Sequence, residues 1–137
     1  MKIKLFDKNV KIPTKSHSTD CGLDLYLPEG FIIKPLETIC LGLGIGFSVP
    51  EGAAGIFVPR SSIAKKGLVI TPAITDCGYS GETHLILTNC SNNTYTFEKN
   101  DRVCSFVCFN IINPLIEIVD ELPSSERGDK GLGSTGN

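Results

Sequence analysis

No apolar run in this 137-residue chain is long enough to cross a bilayer as a helix. The opening residues, Met1-Lys2-Ile3-Lys4-Leu5-Phe6-Asp7, also lack the apolar core of a signal peptide. The chain is therefore expected to be neither membrane-bound nor secreted, and to work in the cytoplasm, or in the nucleus if its source is eukaryotic or viral. Positive charge is not in excess: the formal net charge is −2, which argues against a general nucleic-acid binder. Histidine is scarce. His17 and His84 are isolated, and no paired C-x-x-C knuckles accompany them, so a zinc site and a histidine-driven nucleophile both lack their residues. No amphipathic helix of useful length, internal repeat or interdomain linker is visible, which leaves one domain large enough to bury a core.

What the chain does have is a series of short strand signals with turns every eight to twelve residues. Residues 2–6 alternate polar and apolar. Apolar or alternating stretches follow at 23–27, 31–33, 39–49, 56–58, 68–70, 84–87, 94–97 and 103–112. Pro28-Glu29-Gly30, Pro50-Glu51-Gly52 and Asn92-Asn93 punctuate them. Only residues 61–66 fit a short helix. The class is all-β, a distorted jelly roll or barrel with one short helix. Most of the six cysteines, without a secretory context, are expected to be reduced and to act as small apolar fillers. Asn89-Cys90-Ser91 and Asn92-Asn93-Thr94 match the glycosylation pattern, but without export they signify only a polar turn.

Four segments within this β framework carry candidate chemistry. In Asp20-Cys21-Gly22-Leu23-Asp24-Leu25, Asp24 alternates with apolar neighbours; it could hold a magnesium ion directly or through water, or face solvent as an ordinary strand acid. Pro59-Arg60-Ser61-Ser62-Ile63-Ala64 opens the short helix, where unpaired N–H groups, a guanidinium and two hydroxyls suit a phosphate; the alternative is a plain serine cap beside a surface arginine. Residues 71–82, Thr71-Pro72-Ala73-Ile74-Thr75-Asp76-Cys77-Gly78-Tyr79-Ser80-Gly81-Glu82, read as a hairpin bending near Cys77-Gly78. Its main chain could read a planar base edge, Asp76 could deprotonate a water, and Tyr79 could pack under a sugar; equally, it could be an Asx-capped turn with a core tyrosine. Asp101-Arg102-Val103-Cys104-Ser105-Phe106 opens a long apolar strand, with Asp101 and Arg102 expected to pair.

A fifth segment lies at Arg127-Gly128-Asp129-Lys130-Gly131-Leu132-Gly133-Ser134-Thr135-Gly136. Its glycines, hydroxyls and arginine suit phosphate oxygens. A Walker-type loop is excluded, because Ser134 stands where the phosphate-binding lysine belongs. Two readings stand: an arm that closes over a phosphorylated ligand, or a glycine-rich tail that frays. The composition shift after Leu122 separates a core, 1–122, from this arm, 123–137.

These five segments, in this order, resemble the five motifs of the homotrimeric dUTPase family. The resemblance covers nearly the whole chain, and its specificity lies in the ordered set. It implies a β jelly roll, three active sites shared between subunits of a trimer, and magnesium-assisted conversion of dUTP to dUMP and pyrophosphate. That reaction limits uracil incorporation into DNA and supplies dUMP. It implies that Asp76 activates the attacking water, and that Tyr79 lies under the deoxyribose. Main-chain atoms of Thr71, Pro72, Ile74 and Thr75 would read uracil, while Arg60, Ser61 and Ser62 hold phosphates. Arg127, Gly133, Ser134 and Thr135 would close on the substrate from the arm, with Leu132 against the base and Asp24 near the metal-bound triphosphate.

The chain departs from the family pattern at several positions. Leu132 stands for a stacking aromatic, Ser105 for a glutamine, Ala73 for a glycine and Cys21 for an alanine. Thr75 and Ser80 also differ from the residues usual there, as does Leu23. These departures keep open a non-catalytic derivative that binds nucleotide or a partner protein. A dCTP deaminase of related fold would need an acid in Thr83-His84-Leu85-Ile86-Leu87-Thr88, which has none.

Overall fold

The computed structural model describes residues 1–126 and 128. Eleven strands and one helical turn follow the turn punctuation. The strands are β1 (Lys2–Leu5), β2 (Gly22–Tyr26), β3 (Phe31–Ile33), β4 (Thr38–Gly42), β5 (Ile45–Ser48), β6 (Ala53–Pro59), β7 (Leu68–Ile70), β8 (Ile74–Thr75), β9 (His84–Asn89), β10 (Tyr95–Phe97) and β11 (Arg102–Asn110). The helix α1 is Ser61–Ala64. All pairings are antiparallel, in four sheets ordered β2-β11-β6-β8, β4-β9-β7, β1-β5 and β3-β10. The described residues close into no barrel; this is a distorted jelly roll.

Two expected elements are rearranged. The apolar stretch 39–49 is not one strand. Gly44 takes a φ of +66°, which only glycine adopts freely, and the chain turns there so that β4 joins β9 while β5 joins β1. Residues 71–79 do not form a simple hairpin either. β7 pairs with β9, whereas β8 pairs with β6 in another sheet, so 71–73 carry the chain between sheets.

The core is contiguous and contains Phe47, Phe57 and Phe106, with Phe47 and Phe106 stacked at 4.1 Å between ring centroids. The Phe106 ring lies directly over Gly55, where an added methyl would collide with it. Buried polar groups are satisfied. Asn89, wholly buried, donates from Nδ2 to the carbonyls of Lys34 (3.0 Å) and Asn93 (2.7 Å), and accepts from Ser91 at Oδ1. Its amide is thus a structural tie and, in the folded chain, is closed to glycosylation. The cysteine expectation holds only in part. All six are free thiols, but only Cys104 fills the core; the other five are exposed.

Gly55→Ala should destabilise the protein by about 1–3 kcal/mol, because Phe106 has no room to yield in a stacked core. A lower thermal unfolding midpoint, with near-native secondary structure before melting, is the expected observation.

Candidate active site

The site is organised around Asp24. β2 lies beside β11 with Ser105 opposite Asp24, and the backbone of Thr14 exchanges two hydrogen bonds with that of Asp24 (2.7 and 3.2 Å). The Thr14 segment therefore runs along the outer edge of β2, and Ser16 reaches the carboxylate from it. Asp24 is buried instead of facing solvent. Its Oδ2 accepts from Nη1 of Arg60 and of Arg102 (3.1 Å for the latter) and from Ser16 Oγ (3.2 Å). Its Oδ1 accepts from Ser105 Oγ (2.8 Å). Burial pushes the carboxyl upward, but the bonds from Arg60 and Ser105 and the Arg60 charge outweigh it, so Asp24 titrates below the ordinary value of 3.8.

Arg102 is thus a site residue that the sequence does not reveal. Its partner is Asp24 and not the adjacent Asp101, whose Oδ2 accepts from the Glu98 amide (2.9 Å) to close a turn. A neighbouring pair in sequence is a poor guide here, because successive strand residues point to opposite faces.

Arg60 sits at the end of β6, in extended backbone at the N-cap of α1. No side chain caps the helix, and its first turn holds no acid. Ser61 and Ser62 are exposed there. A hollow of about 470 Å³ opens beside them, lined by Asp24, Arg60, Ser105, Ser16 and Asp20 among others. Two guanidiniums and two serine hydroxyls surround one carboxylate, with Ser61 and Ser62 following Arg60; donors of these kinds suit phosphate oxygens.

This donor set does not build a cage for magnesium. Both Asp24 oxygens already accept from arginine or serine donors, and the described residues contain no group of three or more potential ligands. A hard cation seeks several oxygen ligands, and the described residues alone do not bring three together.

The second group of candidates lies on β8 and the turn after it. Tyr79 N–H donates to the Asp76 carbonyl (3.1 Å), which closes a turn over Cys77 and Gly78. Tyr79 Oη donates to the Glu82 carbonyl (2.6 Å), and its ring lies over Gly81 yet stays 45% exposed. Glu82 in turn accepts from the Gly44 amide (2.7 Å), anchoring the loop to the body. Asp76 projects exposed from this braced turn, and Thr71, Pro72 and Ile74 are exposed while Thr75 is buried. β8 is the outer strand of its sheet among the described residues, so one edge of its main chain has no strand neighbour. A hollow of about 180 Å³ alongside is lined by Ile74, Thr75, Tyr79 and Ile86 among others.

These two groups do not meet within one chain. Thr75 is paired with Gly55, which puts Asp76 abreast of Ala54, near the start of β6. Arg60 follows the last residue of β6, six positions from Ala54, or about 20 Å along an extended strand. The remaining candidates, Arg127, Leu132, Gly133, Ser134 and Thr135, lie outside the described residues.

An antiparallel β shell with an arginine-bearing hollow at one end of a central strand and a braced, acid-bearing turn at the other suits a nucleotide-handling β protein. The comparisons with known proteins narrow it. The dUTPase family model matches residues 8–136. The chain is similar to the deoxyuridine 5'-triphosphate nucleotidohydrolase of Clostridium tetani, 37% identical over 99% of this chain and 96% of that protein. It is also similar to that of Saccharomyces cerevisiae, 34% identical over 100% and 95%. A solved structure of the Staphylococcus bacteriophage 80alpha dUTPase with dUPNHPP superposes with a TM-score of 0.91 at 30% identity, covering 99% of this chain and 98% of that one. The chain belongs to the dUTPase family.

Asp24→Asn should loosen the arginine cluster and lower stability at neutral pH by about 1–3 kcal/mol. Because the folded carboxyl titrates low, its contribution is present above the unfolded value near 3.8 and is lost as pH falls below it through the folded value. Denaturant titrations from pH 7 down to pH 2 should therefore show the two proteins converging in acid.

Proposed function

We propose that this protein hydrolyses dUTP to dUMP and pyrophosphate in sites assembled from more than one copy of the chain. The observation that carries this reading is the placement of Asp76 and the Arg60–Asp24 cluster at opposite ends of β6. Each group supplies half of what the reaction needs, and a second copy is required to bring the halves together. A homotrimer, the state implied by the motif resemblance, satisfies this requirement.

Asp76, exposed on its braced turn, takes a proton from a water that attacks the α-phosphorus, and the bond from that phosphorus to the bridging oxygen breaks to release pyrophosphate. The Tyr79 ring packs under the deoxyribose, and the unpaired edge of β8, with Thr71, Pro72, Ile74 and Thr75, reads the base through main-chain atoms. Arg60, Ser61 and Ser62 hold the phosphates. Arg127, Leu132, Gly133, Ser134 and Thr135 close over the substrate from the arm. A magnesium ion, when bound, would neutralise triphosphate charge; Asp24, whose carboxylate oxygens are engaged, would meet it through water.

The segment after β11 supports assembly. Ile112, Leu115, Ile116, Ile118 and Leu122 are each at least 85% exposed. So many apolar side chains in one short stretch mark a surface that another chain covers.

Asp76→Asn should lower kcat by about 100-fold or more, with dUTP binding within a few-fold of the parent. Co-refolding that variant with an Arg60→Ala variant, each inactive alone, should recover a fraction of the activity. Recovery is expected only if Asp76 and Arg60 of one site come from different copies, and its absence would contradict the shared site. Truncation before Arg127 should lower turnover while the oligomer, measured by light scattering, is retained; unchanged kinetics would remove the arm from the site.

A further inference from the structure

Five exposed cysteines pose a question that nucleotide hydrolysis does not answer. β2 and β11 are paired with Leu23 opposite Phe106 and Gly22 opposite Val107. One further step in this register sets Cys21 opposite Cys108. Cys21 stands two residues from Leu23, and Cys108 two from Phe106, which places both thiols on the same face. The side-chain environment agrees: Cys21, Leu23, Phe106 and Cys108 line one surface hollow. Directly opposed residues in an antiparallel pair have Cα atoms about 4.5–5.5 Å apart, within the range of about 4.4–6.8 Å that a disulfide spans.

The other cysteines have no such arrangement. Cys40 is opposite Ile86. Cys77 lies in the turn closed by Tyr79 and Asp76, and Cys90 donates its amide to the Gly67 carbonyl. Cys104 is buried, and burial, followed by the charge of Asp24, pushes its thiol up to about 12, so it is held protonated and unreactive.

We propose that Cys21 and Cys108 form a reversible, peroxide-responsive dithiol site. One sulfur attacks a peroxide oxygen, becoming a sulfenic acid and releasing water. The second sulfur then displaces that hydroxyl, which leaves as water with the remaining thiol proton. The balance is two thiols and one hydrogen peroxide to one disulfide and two waters. A dithiol reductant reverses the reaction by exchange. The new bond ties the residue preceding β2 to β11. Cys21 also borders the hollow that holds Asp24 and Arg60, so oxidation fixes one margin of the anion site. This inference stands whether or not the chain turns over dUTP.

The test is peptide mapping of the full-length chain after brief hydrogen peroxide treatment, with free thiols blocked and no reductant. The expected product is a peptide joining Cys21 to Cys108 within one chain, lighter by two hydrogens and lost on treatment with dithiothreitol. In Cys108→Ser, the same treatment should leave Cys21 as a sulfenic acid that dimedone captures, and Cys21→Ala should give no linked peptide. The disulfide form should also melt several degrees higher than the dithiol form, because the bridge closes a long loop. The proposal is overturned if both thiols are still alkylated as fast as Cys40 after peroxide, or if Cys21 and Cys108 link to other cysteines or to a second chain.

Discussion

The Asp24 carboxylate is the constraint on which the rest of this structure depends. It is nearly buried, and a buried charge is tolerated only where partners replace its lost water. Here the partners come from separate parts of the chain: Arg60 from the end of β6, Arg102 and Ser105 from β11, and Ser16 from the segment that runs along the outer edge of β2. One carboxylate thus fixes the relative positions of three strands and a connecting loop. It also keeps two guanidiniums together that would otherwise repel each other. Both guanidiniums share this one carboxylate, and Arg60 lines the hollow together with Asp20 and Asp24. Asp24 is therefore the fixed support that positions Arg60 at the candidate anion site.

β6 then serves as a ruler. It holds that anion site at one end and, through its pairing with β8, the Asp76 turn near the other. Along β6 the two groups lie about 20 Å apart, so the proposed shared site would draw Asp76 and Arg60 from different copies. The same chain leaves a stretch of apolar side chains uncovered after β11. The separated candidate groups and the apolar stretch left exposed after β11 both fit the proposed assembly of several copies.

Much of this is legible in the sequence, for definable reasons. The β class and most strand positions follow from period-two alternation and from Pro and Gly punctuation, which are local properties. The single strand expected over 39–49 fails because apolar content alone does not show that Gly44, at a φ of +66°, breaks the ladder between β4 and β5. β8, two residues long, is too short to leave a period. Arg60, Asp76 and Tyr79 stand out because their neighbours carry turn and cap chemistry. Arg102 does not, since its role depends on a partner 78 positions away. For Asp24 the alternation finds the correct face but not its burial. The cysteines show the same limit: composition suggests apolar fillers, whereas exposure and the Cys21–Cys108 juxtaposition follow from register.

Ser105 shows how a departure from the family pattern can be read once geometry is available. A glutamine at this position would carry its amide well out from the strand, toward phosphates. The serine hydroxyl stops at Asp24 Oδ1, 2.8 Å away, and completes the carboxylate's set of donors. The substitution therefore moves a hydrogen bond from ligand to scaffold. Under the proposed reading, phosphate recognition on this side is left to Arg60, Ser61 and Ser62. Charge attracts any polyphosphate, whereas a positioned amide selects by geometry. Under the proposed reading, discrimination for the nucleotide then rests more heavily on Tyr79 and the open edge of β8.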